Sequence, residues 1–369
     1  MTIYIILFIC LLLFTWISNE QNQKRLFWFS SFLLFLVFAL RNKNVGTDTF
    51  SYVQCWNNSK FLYDGKPVDI GFEFILRFLR VIDASDEFFF VSIALIFLFG
   101  LCYFIVKNSL YPVDSLLFFS ISGVVFVFFL LYIAAMRQSV AMTFFLIGLS
   151  IYFKEGQSLK KKILALACIV FAITIHGSSA IILPVLFLLP YIKLSKKIVV
   201  ITLVATYIVG CSGLFYLSSL LSNVDLGGSD FSKYQGYTQE MTFGMTENVG
   251  IFNMLLLPFN LILIYLSFYI TKNQINHWSF KWLFIGVVLS NLMIDNLMWG
   301  RLLVYFTIVS IVVFPNLLRT IPFKFKNIIY LVIIAFFLRK VVVVLLNASI
   351  LGRMNGINTE VPYESWLLL

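Results

Sequence analysis

Long apolar runs recur along the whole chain, separated by short polar breaks. Most reach or approach the roughly 20 residues that an α-helix needs to cross a bilayer. They predict about twelve transmembrane helices, near residues 2–18, 26–40, 87–106, 115–133, 137–153, 163–175, 178–192, 198–218, 250–271, 280–297, 300–318 and 327–348. The runs near 163–192 and 280–318 are short enough to fold as tight hairpins. The stretch FLLYIAAMRQSVAMTFFLIGLSIYF carries Arg137 and Gln138 inside an apolar run. Residues 116–153 are too many for one crossing, so a turn is expected near Ala134–Arg137. The fold class expected is all-α: a polytopic integral membrane protein forming a single membrane domain over 1–369.

Composition agrees. The chain is 61% hydrophobic and 12% charged, about half the charged fraction of a soluble domain. Its net charge of +10 is explained by the loops and not by nucleic acid. One alternate set of loops holds Lys24, Arg25, Lys107, Lys154, Lys160, Lys161, Lys162, Lys193, Lys196, Lys197, Lys272, Lys281, Arg319, Lys324 and Lys326. By the positive-inside bias that set is cytoplasmic, and both termini are then outside. The first run has no basic residue before it, the reverse of a secretory signal, and is expected to be a retained span. Cys10, Cys102, Cys168 and Cys211 fall in apolar runs and Cys55 in a polar loop. Their spacing fits packing and neither a metal site nor a disulfide framework.

Two longer segments fall on the expected outer side. Residues 219–249 are rich in Gly, Ser and Thr and are expected to form a mobile loop. Residues 41–86 contain RNKNVGTDTFSY, where Gly46 to Thr49 suit a turn or a capped helix start. They also contain DIGFEFILRFLRVIDAS, which predicts an amphipathic helix. Glu73, Arg77 and Arg80 share one of its faces, with Glu73 and Arg77 spaced as a favourable i,i+4 pair. Ile75, Phe78, Leu79 and Ile82 lie on the other. Such a helix suits the outer leaflet, and its charged residues either line an entrance or order the loop.

Subtracting the cytoplasmic basic residues leaves ionisable groups at outer span ends or within spans: Arg41, Asp48, Arg137, His176, Asp295, Arg301, Arg339 and Lys340. Such groups cost several kcal/mol at membrane depth and normally face a cavity or a partner. Each also has a plainer reading: snorkelling for an arginine, capping for Asp48, packing for His176, pairing with Arg301 for Asp295. The division of cations is informative. The cytoplasmic loops use mostly Lys, whereas the outer positions use mostly Arg, whose planar fork binds phosphate bidentately. His176 titrates near neutral pH and suits a proton acceptor. Arg301 and Tyr305 are i,i+4 on one span. No Walker loop, GxSxG or HExxH spacing is present. A basic, outward-facing site suits a diphosphate attached to a lipid.

RNKNVGTDTFSY, DIGFEF, AAMRQSVAMTFFLIGL, IHGSSAIILP, GRLLVYF and a terminal VPYESW occur in this order. Together they resemble the EpsG family of Wzy-like exopolysaccharide and O-antigen polymerases, most tellingly in Arg137, Gln138 and Ala141 with His176 and Ser178. The resemblance implies a membrane glycosyltransferase of the bacterial inner membrane. It would take undecaprenyl-diphosphate-linked oligosaccharide as donor and acceptor at the periplasmic face, without cofactor, metal or nucleotide sugar. A chain-length regulator protein is a further expected partner. On this reading Arg137, Arg301 and Arg339 hold the donor diphosphate, with Gln138 beside them. His176 or Asp48 accepts the proton, and Arg41 and Tyr305 position sugar or phosphate. A flippase of the same lipid, a glycan ligase and a membrane acyltransferase are the competing readings.

Overall fold

The structure, a computed structural model, describes residues 2–58, 69–83, 85–123, 127–212, 249–293, 297–320, 326–355 and 361–365. The expected mobile loop 219–249, apart from its last residue, and Asp295 lie outside the described residues. In chain order the helices are α1 (Thr2–Ile17), α2 (Gln23–Ala39), α3 (Thr49–Asn58), α4 (Ile70–Ile82), α5 (Asp86–Asn108), α6 (Pro112–Ile121), α7 (Phe128–Ala134), α8 (Met136–Tyr152) and α9 (Leu159–Ile175). They continue with α10 (Ile182–Leu188), α11 (Lys196–Ser212), α12 (Val249–Tyr269), α13 (Lys272–Ile275), α14 (Trp278–Leu292), α15 (Leu297–Thr307), α16 (Ser310–Thr320) and α17 (Lys326–Asn355). Among the described residues there is no strand. The one isolated bridge pairs Arg41 with Ser365.

The expected all-α membrane architecture is what these residues form. Asp86–Asn108, Arg301–Arg319 and Asn327–Asn347 are long and apolar enough to cross a membrane. Other expected spans are shorter or interrupted. The run 115–133 is two helices, α6 and α7. Ser122 ends α6, and Gly123 follows at φ 149, the glycine position that commonly stops a helix. The Phe128 amide donates across the break to the Ser122 carbonyl at 3.0 Å. The run 178–192 is a 3-10 turn (Gly177–Ile181), α10 and a second 3-10 turn (Leu189–Tyr191). Pro184 and Pro190 keep it from being one long helix, because proline removes a helical donor.

Contacts divide the chain into two compact units. The first comprises Met1–Ser122, Val127–Ser179 and Asn327–Leu369. In it α2 and α5 pack against each other, as do α5 and α8, α8 and α9, and α1 and α2 with α6. The Cys102 thiol donates to Ser31 Oγ at 3.4 Å, and the Phe38 and Phe97 rings meet edge-on at 5.8 Å, so α2 and α5 run antiparallel. Asn108, closing α5, donates to Ser150 Oγ near the end of α8 at 2.9 Å. These contacts put Lys24, Arg25, Lys107, Lys154, Lys160, Lys161 and Lys162 at one end of the unit and Arg41, Arg137 and His176 at the other. Buried hydroxyls return to the backbone: Ser120 to the Leu116 carbonyl and Thr143 to that of Ile96, as a water-free interior requires.

The second unit comprises Gly123–Phe126 and Ala180–Lys326. There α11, α12 and α14 surround a buried amide pair. Asn260 and Asn291 each donate to the other at 2.8 and 2.9 Å, and Asn291 also donates to Thr206 Oγ1 at 3.0 Å. Lys281, opening α14 and 7% exposed, donates to the carbonyls of Leu189 and Ile192. It thereby caps the carbonyl end of the Leu189–Tyr191 turn.

Candidate functional site

Arg137 sits in the first turn of α8, two residues beyond the corner at Ala135. The turn expected near Ala134–Arg137 is therefore present, and it is held by Ser139, whose hydroxyl donates to the Ala135 carbonyl at 2.9 Å. A cation at a helix start opposes the macrodipole. Asp69 offsets it: Arg137 Nη1 lies 2.8 Å from Asp69 Oδ2, each side chain 21% exposed. Gln138 beside it is buried.

Asp69 directly precedes α4, and α4 packs on α9. Gly71 makes that approach possible. A Cβ there would stand 2.4 Å from Thr174 Oγ1 and 2.8 Å from the Thr174 carbonyl carbon. Thr174 is next but one to His176, which terminates α9 and whose carbonyl accepts from the Ser179 amide at 2.9 Å. His176 is half-buried, and Ser178 and Ser179 are buried. The beginnings of α4 and α8 and the end of α9 thus meet at one end of the first unit, bringing Asp69, Arg137 and His176 into one neighbourhood.

The expected amphipathic helix is α4, with Glu73 and Arg77 paired at 2.5 Å. The face assignment needs correction. Phe72, Ile75, Leu76 and Leu79 are buried, whereas Phe78 and Ile82 are exposed together with Ile70, Phe74 and Val81. Arg80 turns towards α3, donating to the Asn57 carbonyl at 3.1 Å with its guanidinium 5.8 Å from the Trp56 ring centre. Cys55 lies among these charges. Burial pushes its thiol up to about 11, opposed by Arg137, reinforced by Glu73 and opposed by Arg80.

Asp48 precedes α3 at the same end. Gly46, at φ 104, turns the chain before it, with the Ile133 carbonyl 3.1 Å from where a Cβ would be. Arg41 is 3% exposed. It donates to the Ile133 carbonyl, stands 5.5 Å from the Phe90 ring centre and pairs through its backbone with Ser365. The C-terminal VPYES is seated there. The Asn42 amide donates to the Glu364 carbonyl at 2.8 Å, Asn44 Nδ2 to the Glu364 carboxylate at 3.3 Å, and the Tyr363 hydroxyl to the Val37 carbonyl at 2.9 Å. Burial pushes the Tyr363 phenol up to about 12 against the pull of Arg41, so it stays a neutral donor.

Of the neighbouring cations on α17, Arg339 is exposed and Lys340 is buried. The Phe118 and Phe337 rings are 6.2 Å apart, and Tyr330 donates to Asp114, so α17 runs alongside α6 and Lys340 lies level with the end of α6. In the second unit Arg301 is half-buried and Tyr305 fully buried one turn apart on α15, with Trp282 Nε1 donating to the Tyr305 carbonyl at 3.1 Å. Sequence reasoning missed Asp69, although it opens the quoted DIGFEF, and missed the seat of the C-terminal segment.

Fold and site define a polytopic helical membrane protein in which buried and paired arginines, with one histidine, collect at one end of a helical unit. The model of the EpsG family matches residues 24–365, and the chain belongs to that family, one of Wzy-like polysaccharide polymerases. No curated protein and no solved structure matches the chain.

Proposed function

We propose that the protein is a polysaccharide polymerase acting at the outer face of the bacterial inner membrane. It transfers a glycan from its undecaprenyl diphosphate onto the non-reducing end of a second lipid-linked repeat unit. The acceptor hydroxyl oxygen bonds to the donor's anomeric carbon, the bond from that carbon to the phosphate oxygen breaks, and the lipid diphosphate leaves with the electron pair. The hydroxyl proton passes to His176 or Asp48. Arg137 offsets the charge that develops on the leaving group, with Gln138 beside it and Arg339 as a further diphosphate contact. Arg41 acts through the corner it clasps. Glu73, Arg77 and Arg80 order the approach.

The observation that carries this reading is Arg137 at the opening of α8, 2.8 Å from Asp69 and in the neighbourhood of His176. A guanidinium fixed at a helix start suits an anion. Family membership supplies the reaction class. Removing one such charge stabiliser costs roughly 3–4 kcal/mol in the barrier. A deletion strain complemented with Arg137→Ala at unchanged protein level is therefore expected to show single repeat units on gels, without the ladder of longer chains. A normal ladder would sink the assignment. Absence of even single units outside the membrane would instead favour a carrier of the same lipid.

A further inference from the structure

Asp69 and Arg137 invite a question that charge offset alone does not answer. An arginine meant for a diphosphate is already engaged by a carboxylate, and that carboxylate is held firmly: Asp69 opens α4 while Gly71, two residues on, abuts the Thr174 backbone. Glu73, one turn further, is engaged with Arg77. Asp69 is thus an acidic group built against Arg137, at 2.8 Å, in a pair 21% exposed on both sides. A pair with that access can be opened by a competing anion.

We propose that Asp69 is a positioning residue that acts as the exchange counter-ion of Arg137. It holds the guanidinium in place while the site is empty, yields it to the diphosphate of the lipid donor, and reclaims it as product leaves. The charge change in the reaction gives this a direction. The donor's diphosphate is substituted at both ends, whereas the released lipid diphosphate has a free terminal phosphate and an additional ionisable oxygen. A nearby carboxylate repels the product more than the donor and so favours turnover over product trapping. The proposal rests on the reading of Arg137 as a diphosphate-binding group.

The test uses the full-length protein purified in detergent, with farnesyl diphosphate as the probe. Asp69→Asn and Asp69→Ser remove the charge while keeping residues that suit a helix start, so one failed fold does not end the test. Both are expected to bind the probe tighter, by on the order of fivefold, the scale of a partly exposed ion pair. With lipid-linked repeat units both should lower kcat and KM together, whereas Asp69→Glu stays near the parent. A residue that merely braces the fold would weaken binding when changed. Unchanged or weaker binding in the uncharged variants, with Arg137→Ala still losing the probe, overturns the exchange role and leaves the polymerase reading standing. Undiminished binding in Arg137→Ala overturns the reading of Arg137 itself, and the exchange role with it.

Discussion

Arg41 donates its guanidinium to the carbonyl oxygen of Ile133, joining the loop after α2 to the last turn of α7. That carbonyl is among the last four of its helix, which lack partners within the helix, and a cation there also complements the helix dipole. Arg41→Ala is therefore expected to destabilise the protein by about 1.5–3 kcal/mol, the range for hydrogen bonds to charged groups. Arg41→Lys retains the charge but not the planar fork beside Phe90 and should fall between. Removing residues 361–369 takes away the Glu364 and Ser365 contacts to the same loop and should lower the melting temperature in detergent as well. Unchanged melting in both Arg41→Ala and the truncation would refute the clasp.

Gly71 carries the second prediction. A methyl group there meets both the Thr174 hydroxyl and the Thr174 backbone inside 3.0 Å. The hydroxyl can turn away, but the backbone cannot. Gly71→Ala is expected to cost on the order of 1–3 kcal/mol, the usual range for overpacking, and to reduce polymer length by shifting Asp69 away from Arg137. Thr174→Ala removes only the hydroxyl contact, so the double variant should recover little in melting or in chain length. Full recovery would place the conflict in the side chain alone.

Much of the fold was legible because a bilayer demands long apolar helices, and the loop lysines of the first unit marked one of its ends. The break after α6 was not legible: Val124, Val125 and Phe126 keep hydropathy high, and Gly123 alone hints at a stop. Arg137 could be set at a corner because 116–153 is too long for one span. Its partner could not be found, since ion pairing between distant segments leaves no local periodicity, whereas Glu73 and Arg77 show theirs in their spacing. Arg41 is bound by a backbone carbonyl, which has no sequence signature. Arg339 and Lys340 are adjacent and point about 100° apart on a helix. In a helix apolar on every side no moment tells which faces inward, and the structure buries Lys340.

Cys55 reports on the charges around the site. Burial dominates and pushes its thiol up to about 11, so on the order of one thiol in a thousand is ionised at pH 8. Disulfide formation with a small methanethiosulfonate, releasing methanesulfinate, should therefore be slow at neutral pH and accelerate steadily towards pH 10 when the other four cysteines are replaced by alanine. Glu73 favours the protonated thiol, so Glu73→Gln should speed the reaction at fixed pH. Arg137 and Arg80 favour the thiolate, so Arg137→Gln and Arg80→Gln should slow it. Equal rates in all three variants would mean that these charges do not converge on α3.

The amide pair in the second unit tests packing apart from chemistry. Asn260 and Asn291 exchange hydrogen bonds between α12 and α14, and Thr206 ties in α11; both asparagines are nearly inaccessible. Replacing either one by leucine leaves the other amide buried without its main partner, a penalty of about 1–3 kcal/mol. Replacing both removes the stranded amide and exchanges polar for apolar contact. The double variant should therefore melt higher than the sum of the single losses predicts, with a coupling of about 0.6–1.7 kcal/mol, the scale of interhelical hydrogen bonds in membranes. The comparison needs only melting curves of the parent, the two single variants and the double variant in one detergent. Strict additivity would show that the pair contributes volume and not hydrogen bonding, and the three helices would then owe their association to apolar packing alone.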